Sequence, residues 1–261
     1  MLSCPGCQAE VHPLAKFCSS CGKIIVAPNI ELKLAEEKKS TTALQSVIGL
    51  YFIMLVVCII LKFTNLEGTF FVLNVADLFI DGAVLIFAAF NFHELKHNLF
   101  RFSSSPKWAH FRWWVFPVII VAAVIACLGV DKLVNIYQEI EGHRFYAYMY
   151  EDTAHPFLWA VIGIALQPAI FEELAFRGVM FNKLKVIMDP GAVIIVTGML
   201  FAILHLSPVS MIWLLPFGLI AGWMRNKSGH LWYGITLHFF YNLTSVVLDG
   251  WSRGWFDSIK L

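Results

Sequence analysis

The sequence predicts an all-α fold: a polytopic membrane helix bundle of about seven spans, preceded by a small cysteine-bearing module. Of its 261 residues 59% are hydrophobic and only 14% are charged, with a mean hydropathy of +0.71. A soluble domain of this length carries more charge on its surface. The apolar residues are also grouped in blocks of about 20, the length that a helix needs to cross a bilayer. The net charge of +1 gives no sign of a nucleic-acid partner.

The apolar blocks predict the spans and the domain organisation. Residues 1–26 form the cysteine-bearing module, 27–42 a charged, helix-capable linker, and 43–254 the transmembrane bundle. The seven predicted spans, with boundaries set by the apolar residues, are 43–63, 70–92, 111–130, 156–181, 190–206, 208–225 and 230–249.

The basic residues between the blocks predict the orientation in the membrane. Basic loops remain on the cytoplasmic side, and every basic loop falls on the side of the N-terminus. We therefore predict a multi-pass protein of the cell membrane with a cytoplasmic N-terminus and, for an odd number of spans, an external C-terminus. The basic residues lie in the loops 93–112, 182–189 and 226–229: Lys96, Arg101, Lys107, Arg112, Lys183, Lys185 and Lys227, with Arg225 beside the last loop.

The N-terminal module contains two CxxC pairs, Cys4 with Cys7 and Cys18 with Cys21, separated by ten residues. Two such turns place four thiolates around one zinc ion, so the pattern resembles a short zinc ribbon. The module has few apolar residues, and we expect metal binding to supply its folding energy. Two disulfides or free thiols are the alternatives. Disulfides require an oxidising compartment, against which the predicted orientation argues.

The fourth apolar block carries an unusual motif, FEELAFRG at 171–178. An ionisable residue inside a membrane segment is expensive and is a functional-site hypothesis by default. Glu173 and Arg177 are four residues apart, so they share a helix face and can pair. Glu172 is rotated by about 100° from Glu173 and can face another helix. Pro168, four residues earlier, leaves a backbone carbonyl without its helical partner. The alternative is a purely structural ion pair.

Polar residues in the next blocks supply partners for this motif. The fifth block ends in His205, and the last block contains His238 and Asn242 on one helix face. If blocks four and five form a helical hairpin, Glu172 and His205 lie at similar depth. His238 is offset by several residues, which tilt or a broken helix can absorb. A histidine that only packs and hydrogen-bonds is the alternative for each.

The motifs EExxxR, FxxxH and HxxxN occur here in this order on consecutive apolar segments. They resemble those of the intramembrane protease family of CAAX prenyl endopeptidases and bacteriocin-processing enzymes, over about 155–250. The resemblance implies a hydrolase that cuts a membrane protein or peptide. It implies that Glu172 and His205 activate a water, that His238 and Asn242 stabilise the oxyanion, and that Glu173 with Arg177 holds the geometry.

A catalytic metal is left open by the sequence. Two histidines and a glutamate are a legitimate zinc set, and the family is often described as metalloproteases. The HExxH motif of soluble zinc proteases is absent, and a metal-free, glutamate-activated water is the other mechanism.

Two further functions compete with the protease. One is a catalytically silent adaptor in the lipid bilayer that recruits a cytoplasmic partner through the zinc ribbon. The other is a small transporter with a proton relay, which predicts inverted repeats that the sequence does not show. In the second block, Asn74, Asp77 and Asp81 share one helix face, where they pack against other helices or line a substrate channel.

Overall fold

The computed structural model of the chain describes residues 2–4, 6–11, 17–24, 28–63, 70–100, 113–141 and 146–256. It divides into two compact units, Met1–Gln45 and Ser46–Leu261. Three of the residues that predicted the orientation, Arg101, Lys107 and Arg112, lie outside the described residues.

The first unit contains two short strands, β1 (Leu2–Ser3) and β2 (Glu10–Val11), which pair antiparallel with Leu2 opposite Val11. A single bridge joins Phe17 to Ile24. Each pairing closes a loop that carries one CxxC pair, so the two pairs sit in two separate turns.

The two turns repeat the same backbone hydrogen bonds. The amides of Gln8 and Gly22 donate to the carbonyls of Cys4 and Cys18, each at 2.9 Å. Gln8 and Gly22 both have positive φ, 61° and 69°. Glycine adopts this conformation without strain, whereas glutamine rarely does. The chain therefore has the same turn twice, built around the first cysteine of each pair.

Helices make up the second unit, and the predicted linker joins the first of them. Helix α1 begins at Pro28, so the described linker residues are helical and run without a break into the first apolar block. The bounds of the helices, with α1 shared between the units, are α1 Pro28–Phe63, α2 Phe70–Phe90, α3 Phe92–Phe100, α4 Val115–Glu141, a 3₁₀ turn Tyr146–Tyr150, α5 Pro156–Ala160, α6 Gln167–Glu173, α7 Phe181–Leu184, α8 Pro190–Leu204, α9 Met211–Ser228 and α10 Trp232–Ser252.

Each predicted apolar block corresponds to a helix, but the count of seven spans is not confirmed. In the described residues three helical stretches are long and apolar enough to cross a membrane: Leu34–Phe63, Val115–Val134 and Pro156–Leu184. The bent pair Asn74–Phe90 and Phe92–Leu99 makes up to four. Helix α8 has only 15 residues, fewer than the roughly 20 that a span needs. Helices α9 and α10 are long enough, but polar residues interrupt their apolar character.

Helix α3 was predicted as part of a loop, and this prediction is wrong. The chain bends by 98° after α2 and continues as α3. The bend lets Leu95 enter the core, where it is 1% exposed, while Glu94 pairs with Lys183 at 3.1 Å. The α9–α10 turn lies against α3, because Trp232 donates from Nε1 to the carbonyl of Leu99 at 2.9 Å.

The stretch Pro156–Leu184, here called the composite helix, contains two π-helical segments, Val161–Leu166 and Leu174–Met180. In the first, the amide of Gln167 donates to the carbonyl of Ile162, five residues back. Pro168 follows directly and has no N–H to donate. A π-helical turn absorbs an interruption of this kind, so the composite helix passes the proline and carries the motif onward.

Helices α8 and α9 approach each other closely at Gly198 and Gly218. A Cβ on Gly218 would lie 2.9 Å from the Gly198 Cα, so neither position has room for a side chain. The main core forms around this contact and the composite helix, with Phe176, Met180, Phe181 and others fully buried. The motif therefore lies in a buried part of the bundle.

Candidate active site

Glu173 and Arg177 form the ion pair that their spacing predicts. Arg177 Nη1 lies 2.8 Å from Glu173 Oε1, and the two side chains are 1% and 0% exposed. Arg177 also donates from Nη2 to the carbonyl of Gly218 at 3.1 Å, and its guanidinium lies 4.7 Å from the centre of the Phe201 ring. A buried charge needs both a partner and hydrogen bonds, and Arg177 has both.

A second arginine, Arg225 on α9, also joins α9 to the composite helix, with the donor now on α9. Arg225 donates from Nε to the backbone carbonyl of Arg177 and from Nη2 to Asn182 Oδ1, each at 2.9 Å. From the sequence, Arg225 is predicted only to lie beside a basic loop, yet it is 5% exposed. A cation at the edge of an apolar block was the available signal. Each helix thus holds a backbone carbonyl of the other through an arginine.

His238 lies between the two glutamates of the motif. Its Nε2 is 3.9 Å from Glu172 Oε2, and its Nδ1 is 3.4 Å from Glu173 Oε1. His238 is 4% exposed, whereas the Glu172 side chain is 23% exposed. Glu172 is therefore the more accessible of the two carboxylates. The predicted offset in depth between Glu172 and His238 does not keep these residues apart.

Phe201 separates the two histidines. Its ring centre lies 5.0 Å from that of His205 and 5.8 Å from that of His238. His205 follows the last residue of α8 as its C-cap. Its Nδ1 is 2.9 Å from the Phe201 carbonyl oxygen. A carbonyl only accepts hydrogen bonds, so Nδ1 carries the proton and Nε2 of a neutral ring is left as an acceptor. The sequence pattern identified Phe201 only as a motif residue.

Asn242 is bonded to the backbone of the composite helix. Its Nδ2 donates to the carbonyl of Ile164 at 2.9 Å. Ile164 lies in the first π-helical segment, four residues before Pro168, whose missing N–H leaves a carbonyl of this turn without its helical donor. Asn242 therefore fixes α10 to the interrupted turn of the composite helix, a contact that sequence spacing did not predict.

Four of the six predicted site residues line one cavity of about 460 Å³: Glu172, His205, His238 and Asn242. Glu173 and Arg177 do not line it, because their pair is enclosed behind the cavity wall. The structure thus brings the cavity-lining residues together from three helical stretches and separates them from the ion pair that supports them.

The four cysteines form a separate cluster in the first unit. The Sγ atoms of Cys4 and Cys21 are 3.6 Å apart, as are those of Cys7 and Cys18. Tetrahedral zinc with bonds of about 2.3 Å holds its sulfurs about 3.8 Å apart, so the spacing fits zinc. In the described residues this is the only group of three or more His, Cys, Asp or Glu ligand atoms within 4.8 Å of one another.

The protonation of the thiols also favours a cation. The Ser20 amide donates to Cys18 Sγ and, as the largest cause, lowers the pKa of that thiol to about 6. The Ala9 amide acts in the same direction on Cys7, but the sulfurs of Cys21 and Cys18 raise the pKa of the Cys7 thiol to about 12. Four neighbouring thiolates repel one another, so full ionisation requires a bound metal.

The fold and the cavity define an apolar helical protein of the multi-pass membrane class, with carboxylate and imidazole groups in its interior. Residues 154–244, about a third of the chain, match the family model described as Type II CAAX prenyl endopeptidase Rce1-like. This match assigns the segment to the CPBP/CAAX protease family, whose CAAX prenyl endopeptidases are hydrolases. The segment contains all six predicted site residues. Searches of curated proteins and of solved structures gave no significant match.

Proposed function

We propose that the chain is an intramembrane endopeptidase that hydrolyses a peptide bond of a membrane-associated protein or peptide. The observation that carries the proposal is the position of Glu172, which lines the cavity with its Oε2 3.9 Å from His238 Nε2. The Oε2 atom is buried and accepts no hydrogen bond from a described residue. A carboxylate held in this way is suited to act as a general base.

The separation of Glu172 and His238 accommodates the reacting water. A water oxygen about 2.8 Å from each atom forms a hydrogen bond to both of them. Glu172 then takes a proton from this water as the water oxygen attacks the scissile carbonyl carbon. His238 Nε2 keeps the water in place, and His205 is the second imidazole that lines the same cavity.

The oxyanion and the leaving group need donors on the same cavity wall. The Asn242 amide uses one N–H for Ile164 and has a second N–H for the oxyanion. Each preorganised donor contributes about 3 kcal/mol to stabilising the transition state. The proton that Glu172 has accepted passes to the leaving nitrogen, directly or through His205 Nε2, as the C–N bond breaks. The products are a carboxylic acid and an amine, which become a carboxylate and an ammonium ion by proton exchange, and the base is regenerated.

Glu173, Arg177 and Arg225 act as positioning residues in this proposal. Arg177, held by Glu173, donates to the Gly218 carbonyl of α9 and so anchors the composite helix in the orientation that directs Glu172 toward the cavity. Arg225 holds the Arg177 carbonyl from α9. Displacing a catalytic group by about 1 Å costs on the order of a hundredfold in rate, so a rigid second carboxylate beside the base has a direct use.

The N-terminal module has a proposed role of its own. We propose that Cys4, Cys7, Cys18 and Cys21 bind a structural zinc ion that stabilises the two repeated turns. We further propose that the N-terminus lies in the cytoplasm, where its thiols stay reduced, and that the ribbon serves there as a docking site for a protein partner.

The proposal is tested with the full-length protein in liposomes, incubated with a library of membrane-inserted peptides. Glu172→Gln keeps the shape of the side chain but removes the base. We expect cleavage to fall by at least a hundredfold, within the range of general-base catalysis, with thermal unfolding unchanged. Glu94→Gln, which alters an exposed carboxylate of α3, is the matched control. A parallel incubation with a metal chelator tests whether catalysis itself requires a metal.

Equal cleavage by the wild-type protein and the folded Glu172→Gln variant would remove Glu172 as the base. If the wild type cleaves no peptide, the adaptor function is favoured, and the partners captured by the cysteine module become the next measurement. Cleavage that depends on Glu172 but stops with chelator would place a metal in the mechanism.

A further inference from the structure

Asp77, on α2, is a cavity residue that the hydrolytic mechanism does not use. It and Asp81 occupy the same helix face, but their surroundings differ. Asp81 is 8% exposed and accepts a hydrogen bond from Gln167 Nε2 at 2.9 Å. Asp77 lines the cavity beside Glu172, and within the described residues it forms no hydrogen bond or ion pair. The expected interior position of the two aspartates is confirmed, and only Asp81 has a packing partner.

An intramembrane carboxylate without a partner is unfavourable unless a ligand supplies one. The cavity wall offers neither lysine nor arginine: its lining residues include Asp77, Asp131 and Glu172, and its basic groups are the imidazoles of His205 and His238. A cationic group beside Asp77 would therefore meet carboxylates and no permanently charged cation. An anionic group would be repelled by the same wall.

The remaining polar groups of the cavity wall include the imidazoles of His205 and His238 and the Asn242 amide, all of which the proposed hydrolysis uses. Much of the remaining wall is aromatic, with Phe201, Trp213 and Phe217 among its residues. Such a wall suits an apolar peptide segment and leaves the carboxylates as the polar contacts that discriminate between sequences.

We propose that Asp77 determines substrate specificity by binding a lysine or arginine side chain of the substrate near the scissile bond. This inference rests on the proposed endopeptidase function and adds its substrate class: an apolar membrane segment that carries a cationic residue. The cation neutralises Asp77 and holds the peptide so that its scissile carbonyl faces Glu172. A pocket built for one charge disfavours an uncharged analogue, because the carboxylate is then left unpaired.

A metal ion is the competing cation, but the geometry favours the peptide. In the described residues Asp77 belongs to no group of three metal-ligating side chains whose donor atoms lie within 4.8 Å of one another. A single carboxylate is sufficient for an ammonium or guanidinium group, whereas a bound divalent ion requires several converging donors.

The test uses pairs of peptides that differ only in one residue, which is lysine in one peptide and its uncharged isostere norleucine in the other. One pair is made for each position around the cleavage site. The proteins are the wild type, Asp77→Asn and the matched control Asp81→Asn. We expect the wild type to favour the best lysine peptide by about tenfold or more in kcat/KM, in line with a charge-assisted hydrogen bond. Asp77→Asn should lose this preference through KM. Asp81→Asn should keep the preference.

Asp77→Lys, assayed with a glutamate peptide, provides the reversed pair, and a gain of cleavage relative to the wild type supports the proposal. An unchanged lysine preference in Asp77→Asn would overturn it while leaving the endopeptidase function intact. Loss of the preference in the wild type on chelation would also overturn it in favour of a metal. Failure of the wild type to cleave any peptide would overturn both proposals together.

Discussion

Gly234 on α10 has room for no side chain, and this makes it a sensitive test of the buried ion pair. A Cβ at this position would lie 2.4 Å from Glu173 Oε2 and 3.2 Å from Glu173 Cδ, whereas ordinary contacts begin at 3.4 Å. Glu173 is fully buried and bonded to Arg177 at 2.8 Å. Gly234→Ala therefore forces the carboxylate to move by about 1 Å, or the two helices to separate.

The loss of stability depends on whether the carboxylate moves or the helices separate. Overpacking a core by one methyl group costs about 1–3 kcal/mol. If the carboxylate leaves Arg177, the broken buried pair costs about 3–5 kcal/mol. Alanine is intrinsically better than glycine in a helix by about 1 kcal/mol, which offsets part of this loss. The neighbouring Glu172, the proposed base, moves with the same turn, so cleavage should fall on the order of a hundredfold.

The assay is the liposome cleavage measurement, paired with thermal unfolding in detergent. Gly129→Ala on α4 is the control, because a Cβ there meets nothing within 4 Å, and it should be neutral or slightly stabilising. Wild-type activity and an unchanged melting temperature in Gly234→Ala would refute the reasoning, since they would mean that the position of Glu173 is not fixed by α10.

Three further changes test other contacts. Arg177→Met should destabilise the protein by about 3–5 kcal/mol, because it leaves a buried carboxylate unpaired, and denaturant unfolding measures this. Arg225→Gln should lower kcat with a smaller effect on KM, and it should reduce the stability of the protein. Lys227→Gln, at an exposed position in the same turn, should change neither the kinetics nor the stability. Cys18→Ser should abolish stoichiometric zinc binding by the full-length protein, measured by metal analysis after gel filtration, and leave thermal unfolding of the helical unit unchanged; retained zinc would exclude the four-cysteine site.

The sequence predicted the local part of the site well. Spacing alone predicted that Glu173 and Arg177 share a helix face and that Glu172 points in another direction, because a helix fixes which residues share a face. The apolar blocks likewise predicted the helices. The bend before α3 was missed because its cause is non-local: Leu95 fits into a core that the other helices build.

The contacts between helices were beyond sequence reasoning for the same reason. Nothing in the spacing indicates that Asn242 donates to Ile164, that Arg225 reaches the Arg177 carbonyl, or that Gly234 leaves space for Glu173. Pro168 did signal that one carbonyl would lack its donor. Only the packing of α10 against the composite helix identifies the side chain that supplies one.

In the proposed mechanism the two adjacent glutamates have different roles, structural for Glu173 and catalytic for Glu172, and their positions on one helical turn account for the difference. Glu173 is enclosed with Arg177, so its charge is compensated and its position is fixed. Glu172, about 100° further around the helix, reaches the cavity without a cation beside it. In the proposed mechanism, an arginine that paired with both carboxylates would hold Glu172 as firmly but would also stabilise its charge and weaken it as a proton acceptor. Placing the arginine four residues after the second glutamate gives Glu172 a rigid neighbour and leaves it available for its proposed role as the base.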